Sequence, residues 1–273
     1  PSGKRLNSME AILYGLGVGL AMGLTGAGGG VLAIPALVIG LNFSPSQAIP
    51  ISLIAVALSA VIGCIDGFRK GILRYRAACL MAILGILLSP IGIWLSSVLP
   101  VPLLMLMFSA VLMFISSKMV MKTLNKTKAT VSKDIKRCNI NRTTGRFDWN
   151  SRCFKSLSIL GGLSGLFSGM LGVGGGFLIV PGVRYLSDLE MHGTIATSLA
   201  VIAMITGTTA VMGLASGIYQ PINAWGFIGS CVCGMLAGRT ITPYLDARKL
   251  TLIFACLAFV VAWLLIFNTF YET

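Results

Sequence analysis

Charge is what this sequence has least of. Only 11% of its 273 residues are charged, and the acids number 8 against 21 Lys and Arg. A soluble domain of this size needs far more charge to clothe its surface. With 56% apolar residues and a mean hydropathy of +0.90, the chain reads as a polytopic membrane protein. No large soluble domain is left over.

Chemistry-bearing clusters are missing too. There is one His, His192, and the acids are scattered. No nucleophile elbow and no Cys-His cluster accompany them, so the sequence offers no hydrolase, redox or metal constellation, and neither an enzymatic function nor a cofactor is expected. Of the seven cysteines, Cys64, Cys79, Cys231, Cys233 and Cys256 lie in apolar segments, where thiols behave as small hydrophobes. Cys138 and Cys153 flank a basic stretch and are expected to stay reduced if that stretch is cytosolic. No pair has zinc-ligand spacing.

The basic excess is concentrated. Eleven of the bases fall between Lys118 and Lys155, opposed only by Asp134 and Asp148. Beside membrane segments this is the pattern of a cytoplasmic loop in contact with anionic lipid, and nucleic acid is not an expected partner. The chain begins Pro1-Ser2-Gly3-Lys4 rather than with Met, the start expected of a processed or trimmed chain. The first apolar stretch resembles a signal peptide, but its second copy near Gly161 cannot be one.

What the sequence has in plenty is glycine, 33 residues, and it is organised. Gly26-Ala27-Gly28-Gly29-Gly30, closed by Pro35, returns as Gly172-Val173-Gly174-Gly175-Gly176, closed by Pro181. The same shift of 146 residues pairs Gly15, Gly19 and Gly23 with Gly161, Gly165 and Gly169, and Ser52-Leu53 with Ser198-Leu199. The chain is an internal duplication, with 9–121 as the first membrane repeat, 122–155 as the linker and 156–270 as the second repeat. Each repeat is expected to hold a glycine hairpin made of two apolar half-segments, then three spanning helices of the length that crosses about 30 Å of hydrocarbon. Gly85, Gly92, Gly234 and Gly238 read as close helix contacts, and Pro90 as a kink.

Loop charges set the topology. Arg69, Lys70, Arg74 and Arg76 become Ala215, Ser216, Gln220 and Ile222 under the shift, whereas Arg239, Arg248 and Lys249 correspond to Ile93, Pro102 and Leu103. Equivalent loops therefore face opposite sides, and the halves are expected to be inverted repeats about an axis in the membrane plane. The loops at 69–76, 118–155 and 239–249 are then cytoplasmic, which leaves Lys4 and Arg5 outside. The rival, four parallel crossings per half, puts those two inside but exposes Arg239, Arg248 and Lys249.

Non-helical backbone at membrane depth needs protein or a wet cavity around it, and glycine lets such backbone approach a ligand. Half-helices starting near Val31 and Phe177 would aim free N–H groups at the turns, which suits an anion. Gly26, Gly28, Gly29 and Gly30, with Gly172, Gly174, Gly175 and Gly176, are the candidate binding backbone. Thr25, Ser52, Thr197 and Ser198 are candidate hydroxyl donors, with bonding back to their own helices the alternative. Arg184 is a candidate for gathering an anion, and Asp188, Glu190 and His192 for carrying a coupled proton. A P-loop is excluded, since no Lys-Ser/Thr follows the first run.

The doubled Gly-x-Gly-Gly-Gly motif, Leu24 to Pro35 and Met170 to Pro181, followed by Ala196-Thr197-Ser198-Leu199, resembles the TauE/SafE sulfite exporter family. The similarity covers nearly all of the chain outside the basic linker. In the first half Pro50-Ile51-Ser52-Leu53 stands where the second has Ala-Thr-Ser-Leu. The resemblance implies a multi-pass transporter of the prokaryotic cytoplasmic membrane for small sulfur-containing anions: sulfite, sulfoacetate, other organosulfonates or thiosulfate. The expected mechanism is alternating access between the halves. Two alternatives remain open at this point, a non-transporting membrane anchor and a proton-coupled importer, and the oligomeric state is not legible.

Overall fold

The computed structural model describes residues 8–26, 28–124, 138, 150–171, 173–187, 189, 191–215 and 224–271. The protein is an all-α polytopic membrane protein. Among the described residues the sole β pairing is an isolated bridge between Cys138 and Ser187. The first half comprises α1 (Ser8–Thr25), α2 (Gly28–Pro35) extended by a π-helical turn (Ala36–Gly40), α3 (Pro45–Arg69), α4 (Tyr75–Val98) and α5 (Val101–Leu124). The second comprises α6 (Ser151–Leu171), α7 (Gly176–Leu186), α8 (Met191–Ala215), α9 (Ala224–Ile241), a 3-10 turn (Thr242–Tyr244) and α10 (Ala247–Tyr271).

The duplication is visible element by element. Shifted by 146 residues, Pro45 and Arg69 become Met191 and Ala215, so α3 and α8 coincide end for end. Among the described residues six helices are long and apolar enough to cross a membrane: α3, α4, α6, α8, α9 and α10. The sequence expectation of two half-segments per hairpin needs revision. α6 has 21 residues, about 31 Å at 1.5 Å per residue, and α1 has 18. The first arm of the second hairpin is thus long enough to cross, whereas α1 in the first hairpin stays among the shorter apolar helices, as do both second arms. Polar Ser156, Ser158, Ser164 and Ser168 break up the apolar run of α6 and hide its length.

Packing is an exchange between halves. α1 lies against α9, and α4 against α6. Gly15, Gly19 and Gly23 of α1 meet successively later residues of α9, so these helices run parallel; a Cβ on Gly19 would stand 1.9 Å from the Cys231 carbonyl oxygen. Gly161, Gly165 and Gly169 of α6 do the same along α4, with Gly165 facing the Gly85 carbonyl. Gly85, Gly92, Gly234 and Gly238 all lie in these seams, as the spacing predicts. Such contacts replace the hydrophobic drive that lipid cannot supply.

The equivalent helices α3 and α8 pack antiparallel. Gly63 meets Leu199, whereas Gly67, one turn later, meets Ala196. Near the end of α3, Asp66 receives both Nε (2.9 Å) and Nη2 (2.7 Å) of Arg239 from α9, and Lys70 at 3.0 Å. Helix directions then gather the described cations, Arg69, Lys70, Arg76, Lys118, Arg152, Lys155, Arg248 and Lys249 among them, at one end of the bundle. Glu10 is at the other.

One expectation is overturned at the basic end. Cys138 and Cys153 are joined by a disulfide, not held as separate thiols. Cys138 is brought there by its backbone: its N–H donates to the Leu186 carbonyl at 3.0 Å, which sets it beside the start of α6. Sequence spacing carries no information about that pairing.

Candidate functional site

The site is built from two hairpin turns. After α1, Gly26 adopts φ +71°, and after α6 Gly174 and Gly175 adopt φ +80° and +64°, the left-handed region that glycine enters without penalty. These torsions reverse the chain sharply enough for α2 and α7 to begin at once. The first turn of each short helix leaves N–H groups without an intrahelical acceptor.

The two hairpins touch. A Cβ on Gly30, in the first turn of α2, would fall 1.6 Å from the Val173 carbonyl oxygen in the turn before α7. Only glycine permits that approach. Gly26 is tied to the other half as well, since Ser198 on α8 donates to its carbonyl at 3.0 Å and to its own Ile195 carbonyl at 2.8 Å. The structure therefore brings Gly26, Gly28, Gly29, Gly30 and Ser198 into one neighbourhood with Gly174, Gly175 and Gly176.

Other candidates are placed differently. The hydroxyls of Thr25 and Ser52 donate to the carbonyls of Ala21 (2.7 Å) and Ile49 (2.8 Å) on their own helices. Thr197 donates to Gly193 at 2.7 Å and accepts from the Arg74 backbone N–H at 3.3 Å, which sets it under the basic end. Arg184 bonds Thr251 of α10 from the last turn of α7, away from the glycine turn. His192 is half-buried in the first turn of α8, also at the basic end. Gly172, Asp188 and Glu190 lie outside the described residues.

Several buried hydroxyls were not singled out by sequence. Ser164 of α6 donates to the Gly175 carbonyl at 3.0 Å. Thr206 of α8 presents its methyl to Gly174, and Ser89 and Thr209 share a hydrogen bond of 3.2 Å between α4 and α8. Ser168, one turn beyond Ser164, is fully buried and its Oγ has no partner among the described residues. The signal that marks Ser164 and Ser168 is their i, i+4 spacing on an otherwise apolar helix, which puts both on one face. Among the described residues no three His, Cys, Asp or Glu side chains gather as metal ligands would.

The family model described as Sulfite exporter TauE/SafE matches residues 11–265, both halves and the linker between them. The chain belongs to the sulfite exporter TauE/SafE family. Curated relatives carry the same message. A probable membrane transporter protein of Xylella fastidiosa (strain Temecula1) is 29% identical over 234 residues, covering 85% of this chain and 84% of the relative. Its counterpart in strain 9a5c is 28% identical, with coverages of 85% and 82%. The probable membrane transporter protein YjnA of Bacillus subtilis (strain 168) is 22% identical over 259 residues, 93% of this chain and 97% of the relative. No solved structure matches. As a TauE/SafE member the protein is a multi-pass membrane transporter, with the paired glycine hairpins at the junction of its halves.

Proposed function

We propose that the protein moves small sulfur-containing anions, such as sulfite, sulfoacetate, other organosulfonates or thiosulfate, across the prokaryotic cytoplasmic membrane. The observation that carries this reading is the meeting of the two hairpins at Gly30 and Val173. It assembles the N-terminal turns of α2 and α7 where the halves join, and such turns present the positive end of the helix dipole to an anion. The antiparallel packing of α3 on α8 supports an inverted arrangement, in which the axis relating the halves lies in the membrane plane. Alternating access then arises from rocking one half against the other around the hairpins.

The basic end faces the cytoplasm in this reading, by the excess of Lys and Arg there. An interior-negative potential drives anion exit with about 2.3 kcal/mol per charge per 100 mV, so export requires no coupling ion. The test is flux of labelled sulfite, thiosulfate and sulfoacetate in proteoliposomes whose potential is clamped with potassium and valinomycin. Flux of at least one anion should follow the sign of the potential and be absent from vesicles that lack the protein. Absence of flux for all three in correctly inserted protein would reject the reading.

A further inference from the structure

The helix contacts of this protein differ in the motion they permit. Along α1 and α9, a Cβ on Gly15, Gly19, Gly23, Gly234 or Gly238 would stand 2.7 Å or less from the opposing helix, and almost all of what it meets is backbone. Across α6 and α4, a Cβ on Gly161, Gly165, Gly169 or Gly92 would stand 2.5 Å or less from the facing helix. Backbone laid on backbone has no rotamer to change when one helix moves past the other. Each seam is therefore a single piece. The second arm of each hairpin packs on its first, at Gly29 on Met22 and at Gly182 on Leu160.

α3 and α8 are each fastened to a helix of the opposite repeat. Ser59 of α3 donates to the Cys231 sulfur of α9 at 3.5 Å, Gly63 faces the Met235 methyl, and Asp66 holds Arg239 at 2.7 Å. On the other side, Ile205 of α8 lies on Gly85 of α4, and Thr209 shares its 3.2 Å hydrogen bond with Ser89. The two sets correspond under the shift of 146 residues: Ser59 and Cys231 fall on Ile205 and Gly85, and Gly63 and Met235 on Thr209 and Ser89. α3 meets α8 in another way. The near atoms there are Leu199 Cδ1 at Gly63 and Ala196 Cβ at Gly67, each 2.8 Å from a Cβ placed on the glycine. Attraction between such carbons has no preferred direction, so they exchange neighbours as helices slide.

We propose that the two bodies that rock are α1, α2, α3 and α9 on one side and α4, α6, α7 and α8 on the other, with α3 against α8 as the sliding face. This rests on the transporter reading and specifies the halves that move in it, since each body is drawn from both repeats. The meeting of Gly30 with Val173 is then the pivot, because contact at one point permits a rotation that a seam forbids. The chain passes between the bodies from α3 to α4 and again from α8 to α9. Gly71 stands in the first crossover at φ +67°, and a Cβ there would meet nothing within 4 Å. α5 and α10, joined by Ser116 donating to the Ala255 carbonyl at 2.7 Å, belong to neither body.

The experiment locks chosen helices together and measures flux of labelled sulfite, thiosulfate and sulfoacetate in proteoliposomes under a clamped potential. Ser59→Cys beside the native Cys231 joins α3 to α9 within one body, and Gly67→Cys with Ala196→Cys joins the two bodies. Each is made in a full chain whose remaining cysteines are replaced and whose flux persists. Air oxidation over copper phenanthroline closes each pair, dithiothreitol reopens it, and loss of maleimide-reactive thiols shows closure. The closed Ser59→Cys protein should carry anions as its reduced form does. The closed Gly67→Cys, Ala196→Cys protein should carry none until reduced; should it fail to fold, Gly63→Cys with Leu199→Cys replaces it. Motion of the repeats as the chain lays them out predicts loss in the first protein, because α3 and α9 belong to different repeats. Loss there, or persistence of flux with the two bodies joined, overturns the assignment and leaves the transporter reading standing. Absence of flux from the reduced and unsubstituted proteins alike rejects that reading and this assignment with it.

Discussion

Single residues in this protein are judged by what stands opposite them. Arg239 is 8% exposed and relies on Asp66, itself one-third exposed. Replacing Asp66 by Asn leaves a mostly buried guanidinium without its carboxylate. Because the carboxylate end is partly solvated, the expected cost is on the order of 1–2 kcal/mol rather than the larger figure for a dry pair, seen as a lower melting temperature. Glycines divide in the same way. Gly17 and Gly19 are two residues apart on α1, but nothing lies within 4 Å of a Cβ on Gly17, whereas one on Gly19 runs into backbone. Gly17→Ala is expected to be neutral or to stabilise by up to about 1 kcal/mol through helix propensity, and Gly19→Leu to abolish folded yield, both read by size-exclusion profiles and melting curves. The shift of 146 residues already sets Gly19, which falls on Gly165, apart from Gly17, which falls on Leu163. The physical reason is the neighbour on α9, some 200 residues away.

At the scale of elements, more was legible. The shift of 146 residues foretold that α3 would return as α8, because a duplication preserves apolar lengths and turn residues together. The hairpins were legible as glycine runs, and their torsions follow directly from them. The length of α6 was not, since four serines depress its apolar run. The pairing of Cys138 with Cys153 was hidden for another reason. It is set by a backbone hydrogen bond to Leu186, an encounter of distant segments. If the basic end faces the cytoplasm, that disulfide is one that a reducing compartment opens. With the five free cysteines replaced, membrane-permeant maleimide added to intact cells should then modify both thiols, whereas in protein purified in air the pair should resist modification until reductant is added. Resistance in the cell as well would place this end in an oxidising compartment.

For the whole molecule, inversion makes a prediction about sides. Cysteines introduced at Arg69 and at Lys249 lie in different halves at the basic end, and should be labelled from the same side of the membrane. One at Glu10 should be labelled from the other, in a background where native cysteines are replaced and transport persists. Four parallel crossings per half would separate Arg69 from Lys249. The exchange of helices between halves has a further consequence, for the order of events during synthesis. Gly15, Gly19 and Gly23 dock on α9, which leaves the ribosome about 200 residues after α1; at 5–20 residues per second this is roughly 10–40 s. Through that interval α1 waits in lipid with its glycine seam open, and α4 waits likewise for α6. A truncated first half has no means of closing either seam. Ancestral single-copy chains of this design would have met the same problem, and two such chains clasping one another would have solved it before duplication joined them.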